Sequence, residues 1–234
     1  MSGVYIISAP SGSGKSTLVG RVRQIVSGLR FSISYTTRAT RGDEQNGREY
    51  YFVSRAEFEA MIRKNEFLEY ADVFGNYYGT ARRFLREAEE ERKDLLLDID
   101  VQGAAQIKRK IPAAVSIFIL PPNRQELEKR LRTRSLDAEE VIQRRLVTAS
   151  REIENYDKYD YILVNDRLEE SIDALKSILL AERLTRPGAQ AQGQRPADDN
   201  NLMAKAERCR LNNVRERLQP ILASFEKAAA PRGR

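Results

Sequence analysis

Apolar residues in this chain of 234 residues fall into two kinds of run, and the two kinds alternate. "VYIIS" (Val4–Ser8), "LLLDID" (Leu95–Asp100), "VSIFIL" (Val115–Leu120) and "YDYILVND" (Tyr159–Asp166) are short and rich in residues that suit strands buried on both faces. After the first run the apolar positions are Leu18, Val22, Ile25 and Val26, and after the last they continue from Leu168 to Leu184. That spacing lays one apolar stripe along a helix. Ser54 with Glu57, Asn123 with Glu126 and Asp137 with Glu140 have the N-cap and N3 spacing of helix starts. The alternation predicts an α/β fold, with a mainly parallel sheet and helices on both faces.

Two stretches break the pattern. Between residues 34 and 80, "YYFVS" and "FLEYADVFGNYYGT" read as short strands joined by polar turns around one helix, Ala56–Asn65, which predicts a small mixed α/β insertion. Residues 130–145 are rich in arginine and read as a mobile element between two helices. After Thr185, "RPGAQAQGQRPADDNN" has the composition of a linker. Beyond it Leu211, Val214, Leu218, Ile221, Leu222 and Phe225 return to helical spacing, with Pro220 expected to kink or restart that helix.

Composition narrows the function classes. Apolar residues at 41% and charged residues at 32% describe an ordinary water-soluble domain. No apolar run approaches the roughly 20 residues of a membrane span, and no basic leader precedes an apolar segment, so a cytoplasmic protein is expected. With one cysteine, Cys209, and no histidine, the chain has no intramolecular disulfide, no cysteine-rich metal site and no histidine base. The net charge of +6 invites a nucleic-acid partner, but residues 186–234 hold ten Lys/Arg and five Asp/Glu, so +5 belongs to the tail and +1 to residues 1–185. A nearly neutral body argues against nucleic acid as its ligand. The tail's stripe is open to several uses: docking on the body, pairing with another copy, binding nucleic acid, or forming a solvated, loosely ordered helix.

The densest chemical signal is "APSGSGKST", Ala9, Pro10, Ser11, Gly12, Ser13, Gly14, Lys15, Ser16 and Thr17, placed between a buried strand and a helix. A turn of small residues there aims backbone N–H groups at an anion, and the helix N-terminus adds partial positive charge. Lys15 is placed to reach the β and γ phosphates of a nucleotide and Ser16 to help hold Mg²⁺. The strict pattern begins with glycine where this chain has Ala9.

Such a loop does not name a reaction. Taken together, "SISYTTRATR" (Ser32–Arg41), "NGREYYFVS" (Asn46–Ser54), "EFLEYADVFGNYYGT" (Glu66–Thr80) and "LLLDIDVQG" (Leu95–Gly103) closely resemble the guanylate kinases, collinearly from about Val4 to Arg183. The resemblance implies transfer of the γ phosphate of ATP to GMP, giving ADP and GDP, with Mg²⁺. It implies a kinase domain over residues 1–185, made of a P-loop core (1–33, 81–129 and 146–185), a GMP-binding insertion (34–80) and a lid (130–145). A linker (186–201) and a basic helical extension (202–234) would follow. It assigns the GMP phosphate to Arg38, Arg41, Tyr50 and Tyr78, and the guanine to Ser34, Glu69, Thr80 and Asp100. Arginine and phenol groups suit a phosphate dianion, and acceptors suit the N–H donors of guanine.

Asp98 is assigned beside GMP and beside Mg²⁺, through water, with Ser16. Capping of the next helix is the competing role for Asp100. The resemblance gives Arg130, Arg134 and Arg145 to the lid over ATP and Asn165 to the adenine side. Lys15, Arg38, Arg41, Arg134 and Arg145 would stabilise the transferring phosphoryl group, whose chemistry is positioning and charge neutralisation and needs no histidine. Arg132 and Arg144 read instead as arginines on a wet helix, paired with Glu126, Glu128 and Glu139. Two alternatives stay open: a catalytically inactive guanylate-kinase-like interaction module, and a kinase of the same fold for another nucleoside monophosphate. A homo-oligomer formed through the extension is a further possibility.

Overall fold

The computed structural model describes residues 2–73, 75–134, 138–186 and 199–226, with Arg134 described as backbone only. The Arg134 side chain, Asp137, most of the expected linker and the last residues of the extension lie outside the described residues. Along the chain, strand β1 (Val4–Ser8) leads to helix α1 (Lys15–Ile25), β2 (Leu29–Phe31), β3 (Tyr35–Thr36) and β4 (Tyr51–Phe52). Next come α2 (Arg55–Arg63), β5 (Phe67–Val73), β6 (Asn76–Ala81), α3 (Arg83–Glu90), β7 (Asp94–Asp98) and α4 (Val101–Lys110). The second half holds β8 (Val115–Leu120), α5 (Arg124–Arg134), α6 (Glu139–Ile153), β9 (Tyr161–Val164), α7 (Leu168–Thr185), α8 (Asp199–Glu207) and α9 (Leu211–Glu226).

The chain forms two compact units, residues 1–7 with 27–115, and residues 8–26 with 116–234. In the first, β7 lies between β2 and β1 and runs parallel to both, with Leu29 opposite Asp94 and Val4 opposite Leu95. Helix α3 packs against β2 and β7. A second, mixed sheet in the order β4-β3-β6-β5 corresponds to the expected insertion. In the second unit β8 and β9 pair in parallel from Ile117 opposite Tyr161 to Leu120 opposite Val164, with α7 packed on β9 and α1. Parallel strands flanked by helices are what the sequence pattern predicts. Tyr5, Ile6, Leu95, Leu96, Leu97, Ile117, Phe118 and Ile119 are fully buried, and each contributes about 1.5–3 kcal/mol of hydrophobic stabilisation.

Several local expectations change. "LLLDID" stops being strand at Asp98, because Asp100 caps α4: its Oδ1 accepts the Gly103 N–H at 2.8 Å. The capping box at Ser54 and Glu57 is complete. Asn123 accepts the Glu126 N–H at 2.8 Å, but the Glu126 carboxylate turns to Arg130. Helix α6 starts after Ala138, which gives it no side-chain cap. Strand β2 and helix α3 are absent from the sequence pattern; α3 is mostly charged and is held by Phe84 and Ala88. Pro220 lies inside α9 without ending it.

The tail stripe is buried within the chain itself. Val214, Leu218 and Phe225 are enclosed, and α9 packs on α5, α6 and β9. Lys205 pairs with Asp173 at 2.6 Å and Arg210 with Glu182 at 2.7 Å, so part of the tail's positive charge is used inside its own unit.

Candidate functional site

The residues expected to bind the phosphoryl donor lie in the second unit. After β1 the chain turns with a Ser13 N–H to Pro10 O bond of 3.1 Å and enters α1 through Gly14. Gly12 and Gly14 have φ values of 90° and 85°, a region that favours glycine. Space makes the same demand: a Cβ on Gly14 would stand 2.4 Å from Asn165 Nδ2, and one on Gly12 2.8 Å from Leu131 Cδ2. No side chain caps α1, and no acidic residue lies in its first turn. The helix N-terminus and the turn therefore present N–H groups and partial positive charge, with no acidic residue in the helix's own first turn.

Three elements converge on this turn. Asn165, just past β9, donates Nδ2–H to Ser13 O at 2.7 Å. Arg130 of α5 donates Nη1–H to Asn165 O at 3.1 Å and Nε–H to Glu126 at 3.0 Å. Arg145 of α6 donates to Ser11 Oγ at 2.8 Å. Three of the residues expected on the nucleotide side are thus joined to the loop. Arg132 instead pairs with Glu128 at 2.7 Å and Glu139 at 2.6 Å, as its wet-helix reading expects. The Arg132 guanidinium holds Glu139 down at about 2.

The residues expected to bind the acceptor lie in the first unit. Arg38 is 9% exposed, with its guanidinium carbon 5.3 Å from the Tyr50 ring centroid and 5.7 Å from that of Phe52. Tyr78 interacts with the same guanidinium and sets its ring edge-on to Tyr50, the centroids 5.8 Å apart. Arg38, Tyr50 and Tyr78 come together as expected. The Arg41 side chain is exposed and joins them through its backbone.

That junction is Glu44, which sequence reasoning missed. Its carboxylate takes Arg38 Nη2–H at 2.9 and 3.0 Å and the Arg41 N–H at 2.9 Å. The Arg38 guanidinium holds Glu44 below the usual carboxylate range. The available signal was an acidic residue within a short loop that already held two unpaired arginines.

Glu69 is buried, although a strand glutamate is expected to face water. A bulge between Phe67 and Glu69 re-aims the strand, so that Phe67, Leu68 and Glu69 are buried in succession before alternation resumes. Glu69 pairs in register with Thr80. A Cβ on Gly103 would stand 2.5 Å from Glu69 Oε2 and 3.2 Å from Asp100 Oδ1, so the two carboxyl groups flank one glycine. Burial pushes Glu69 up to about 7, opposed by Thr80 and reinforced by the Asp100 charge. Ser34 lies beside this sheet, its carbonyl accepting the Tyr51 N–H at 2.9 Å. Asp98 is half-buried at the end of β7.

A strand, an anion-cradling turn and a helix on a parallel α/β framework define the class: a P-loop nucleotide-binding protein. The guanylate kinase family model matches residues 1–182. A guanylate kinase of Koribacter versatilis is 56% identical over 99% of both chains. One of Vibrio parahaemolyticus is 50% identical over 77% of this chain and 88% of its own. The crystal structure of guanylate kinase from Anaplasma phagocytophilum superposes with a TM-score of 0.65 at 32% identity, covering 88% of this chain and 95% of that one. The chain belongs to the guanylate kinase family.

Proposed function

We propose that this protein transfers the γ phosphate of ATP to GMP, giving ADP and GDP. Membership of the family over residues 1–182 supports the reaction, and the observation that carries the substrate is the buried Glu69 carboxyl beside Asp100 across Gly103. A base offering an N1–H and a 2-amino group needs acceptors in such a place, and adenine would leave them unmatched. In this reading Ser34, Thr80, Glu69 and Asp100 hold guanine. Arg38, Arg41, Tyr50 and Tyr78 grip its phosphate, and Glu44 keeps Arg38 aligned before the substrate arrives.

The residues from Ala9 to Thr17 hold the triphosphate of ATP through backbone N–H groups and the Lys15 ammonium. Arg130 and Asn165 position the nucleotide, and Arg134 and Arg145 neutralise charge on the moving group. The attacking GMP oxygen is already ionised, so no base is required. Mg²⁺ generally keeps several waters and binds substrate phosphates with one or two protein oxygens. The Ser16 hydroxyl, exposed at the start of α1, fits that donor set, with Asp98 acting through water. When bound, the ion neutralises phosphate charge.

The kinase domain then covers residues 1–185, with the insertion at 34–80 and the lid at 130–145. The linker 186–201 and the extension 202–234 follow. An oligomer through the extension would use its outer face, since Val214, Leu218 and Phe225 are buried. No helix among the described residues is long and apolar enough to cross a membrane, and we place the reaction in the cytoplasm.

A coupled assay with ATP, Mg²⁺ and, in turn, GMP, AMP, dTMP and UMP tests the reading. GMP should be preferred by about 10³-fold or more in kcat/KM, as hydrogen-bonded discrimination allows. Preference for another monophosphate makes the protein a different kinase of this fold. Absence of turnover on all four makes it an interaction module.

A further inference from the structure

The extension α8–α9 begins beyond the residues matched by the family model, yet it is tied to the elements that shape the phosphate loop. Between its helices the chain adds to the outer edge of β9. Ile162 donates its N–H to Cys209 O at 2.8 Å, Leu211 donates to Asp160 O at 3.1 Å, and Tyr161 and Arg210 form an antiparallel bridge. Arg210 locks this edge: its guanidinium lies 4.3 Å from the Tyr161 ring centroid and bonds Glu182, which also accepts the Tyr161 hydroxyl. Residues that reach the nucleotide loop follow directly, since β9 ends at Val164 and Asn165 bonds Ser13 O.

A second tie runs through α5. Ser224 Oγ accepts the N–H of Arg124, the first residue of that helix, at 3.1 Å, and donates to Ile221 O at 2.6 Å. The extension thus satisfies a donor that every helix start leaves over. From this fixed end α5 carries Leu127 and Leu131 to Gly12 and Arg130 to Asn165. Helix α9, through buried Val214, Leu218 and Phe225, also lies against α6, which bears Arg145.

We propose that the C-terminal extension is a positioning element for the nucleotide donor: by fixing the start of α5, the edge of β9 and the flank of α6, it sets Arg130, Asn165 and Arg145 around the phosphate loop. Ser224, Leu218 and Arg210 are its positioning residues. This rests on the reading that Ala9–Thr17 binds the ATP triphosphate. Among the described residues the extension packs mainly on α5, α6, α7 and β9, all in the unit that carries the donor-side residues, and it therefore governs donor affinity and leaves acceptor affinity alone.

The test uses full-length protein and two variants. Ser224→Ala deletes one hydroxyl, and Leu218→Asp places a charge at a position only 1% exposed. A non-hydrolysable ATP analogue is titrated by calorimetry without GMP, KM is measured for each substrate, and amide exchange is followed at Arg124 and Ile162. Coupling through packed elements of this kind shifts affinity by about two- to thirtyfold. Analogue affinity should therefore fall about threefold in Ser224→Ala and about tenfold in Leu218→Asp, both within the range of that coupling. GMP KM should be unchanged, and exchange should quicken at Arg124 in both variants and at Ile162 in Leu218→Asp.

Quickened exchange with unchanged analogue affinity overturns the proposal, as does an equal loss for both substrates. If Leu218→Asp does not fold, Ser224→Ala decides by the same measures, and wild-type affinity in it is a refutation. Failure of the wild-type protein to bind the analogue would instead refute the underlying donor-site reading.

Discussion

In the proposed guanine site, Glu69 would make substrate binding depend on pH. Its folded-state value of about 7 lies above the ordinary 4.5, so the folded protein holds a proton that the unfolded chain releases earlier. Its favourable contribution to folding is whole below about 4.5 and is lost as pH rises through about 7. Guanine requires the opposite state, the ionised acceptor. Lowering the pH from 8 to 6 should therefore raise the KM for GMP about tenfold through Glu69, because each unit below its pKa costs about 1.4 kcal/mol.

The GMP phosphate also titrates near pH 6, which the variant Glu69→Gln separates: it should bind GMP poorly throughout and keep only the phosphate's share of the pH dependence. Thermal melting of the ligand-free protein between pH 5 and 8 should show a shallower loss of stability in the variant. Equal pH profiles for the two proteins would remove Glu69 from guanine binding. Its type and place were legible through the family resemblance, but its burial was not, since a carboxylate in a short strand is ordinarily solvated and nothing in the sequence marks the bulge after Phe67 that leaves Phe67, Leu68 and Glu69 buried in succession.

At the scale of elements, the start of α4 joins structure to specificity. Asp100 caps the helix through the Gly103 N–H and faces Glu69 across that glycine, so the competing structural role and the proposed binding role belong to one residue. Gly103 is required by close approach. Gly103→Ala would bring a methyl group to 2.5 Å from Glu69 Oε2, and the buried carboxyl must move. The variant should raise the KM for GMP about tenfold or more while leaving that for ATP near wild type, and its destabilisation should fall in the range of about 1–3 kcal/mol expected for overpacking. Steady-state kinetics and thermal melting check both; an unchanged KM for GMP would mean that the pocket relaxes without loss. The sequence announces elements whose own residues set their limits: β8 matches "VSIFIL", and Ser54 starts α2 with a full capping box. It misses elements defined by their neighbours, such as β2, a short strand stitched to β7, and α3, held by two buried side chains among charges. Pro220, expected to kink or restart its helix, does not end it, since α9 is held by Val214, Leu218 and Phe225 on either side of it.

For the whole molecule, the contacts divide the chain along a line that the motifs did not reveal. Ala9–Thr17, Arg130, Arg145 and Asn165 fall in one unit, whereas Ser34, Arg38, Glu69, Tyr78 and Asp100 fall in the other. The sequence placed the boundaries at the insertion and the lid, because only those stretches interrupt its strand–helix alternation. Covalent order cannot report which strands pack most closely. Phosphoryl transfer requires the donor oxygen and the acceptor to lie in line with water excluded, since otherwise ATP is hydrolysed in place of being used. The insertion and the lid are therefore expected to close when both substrates are held. Small-angle scattering should give a smaller radius of gyration for the protein with a bisubstrate analogue than for the protein alone, with a lesser change for either nucleotide singly. An unchanged radius with both subsites filled, verified by calorimetry on the same sample, would mean that the transfer geometry exists before binding; water would then have to be kept out by residues already in place.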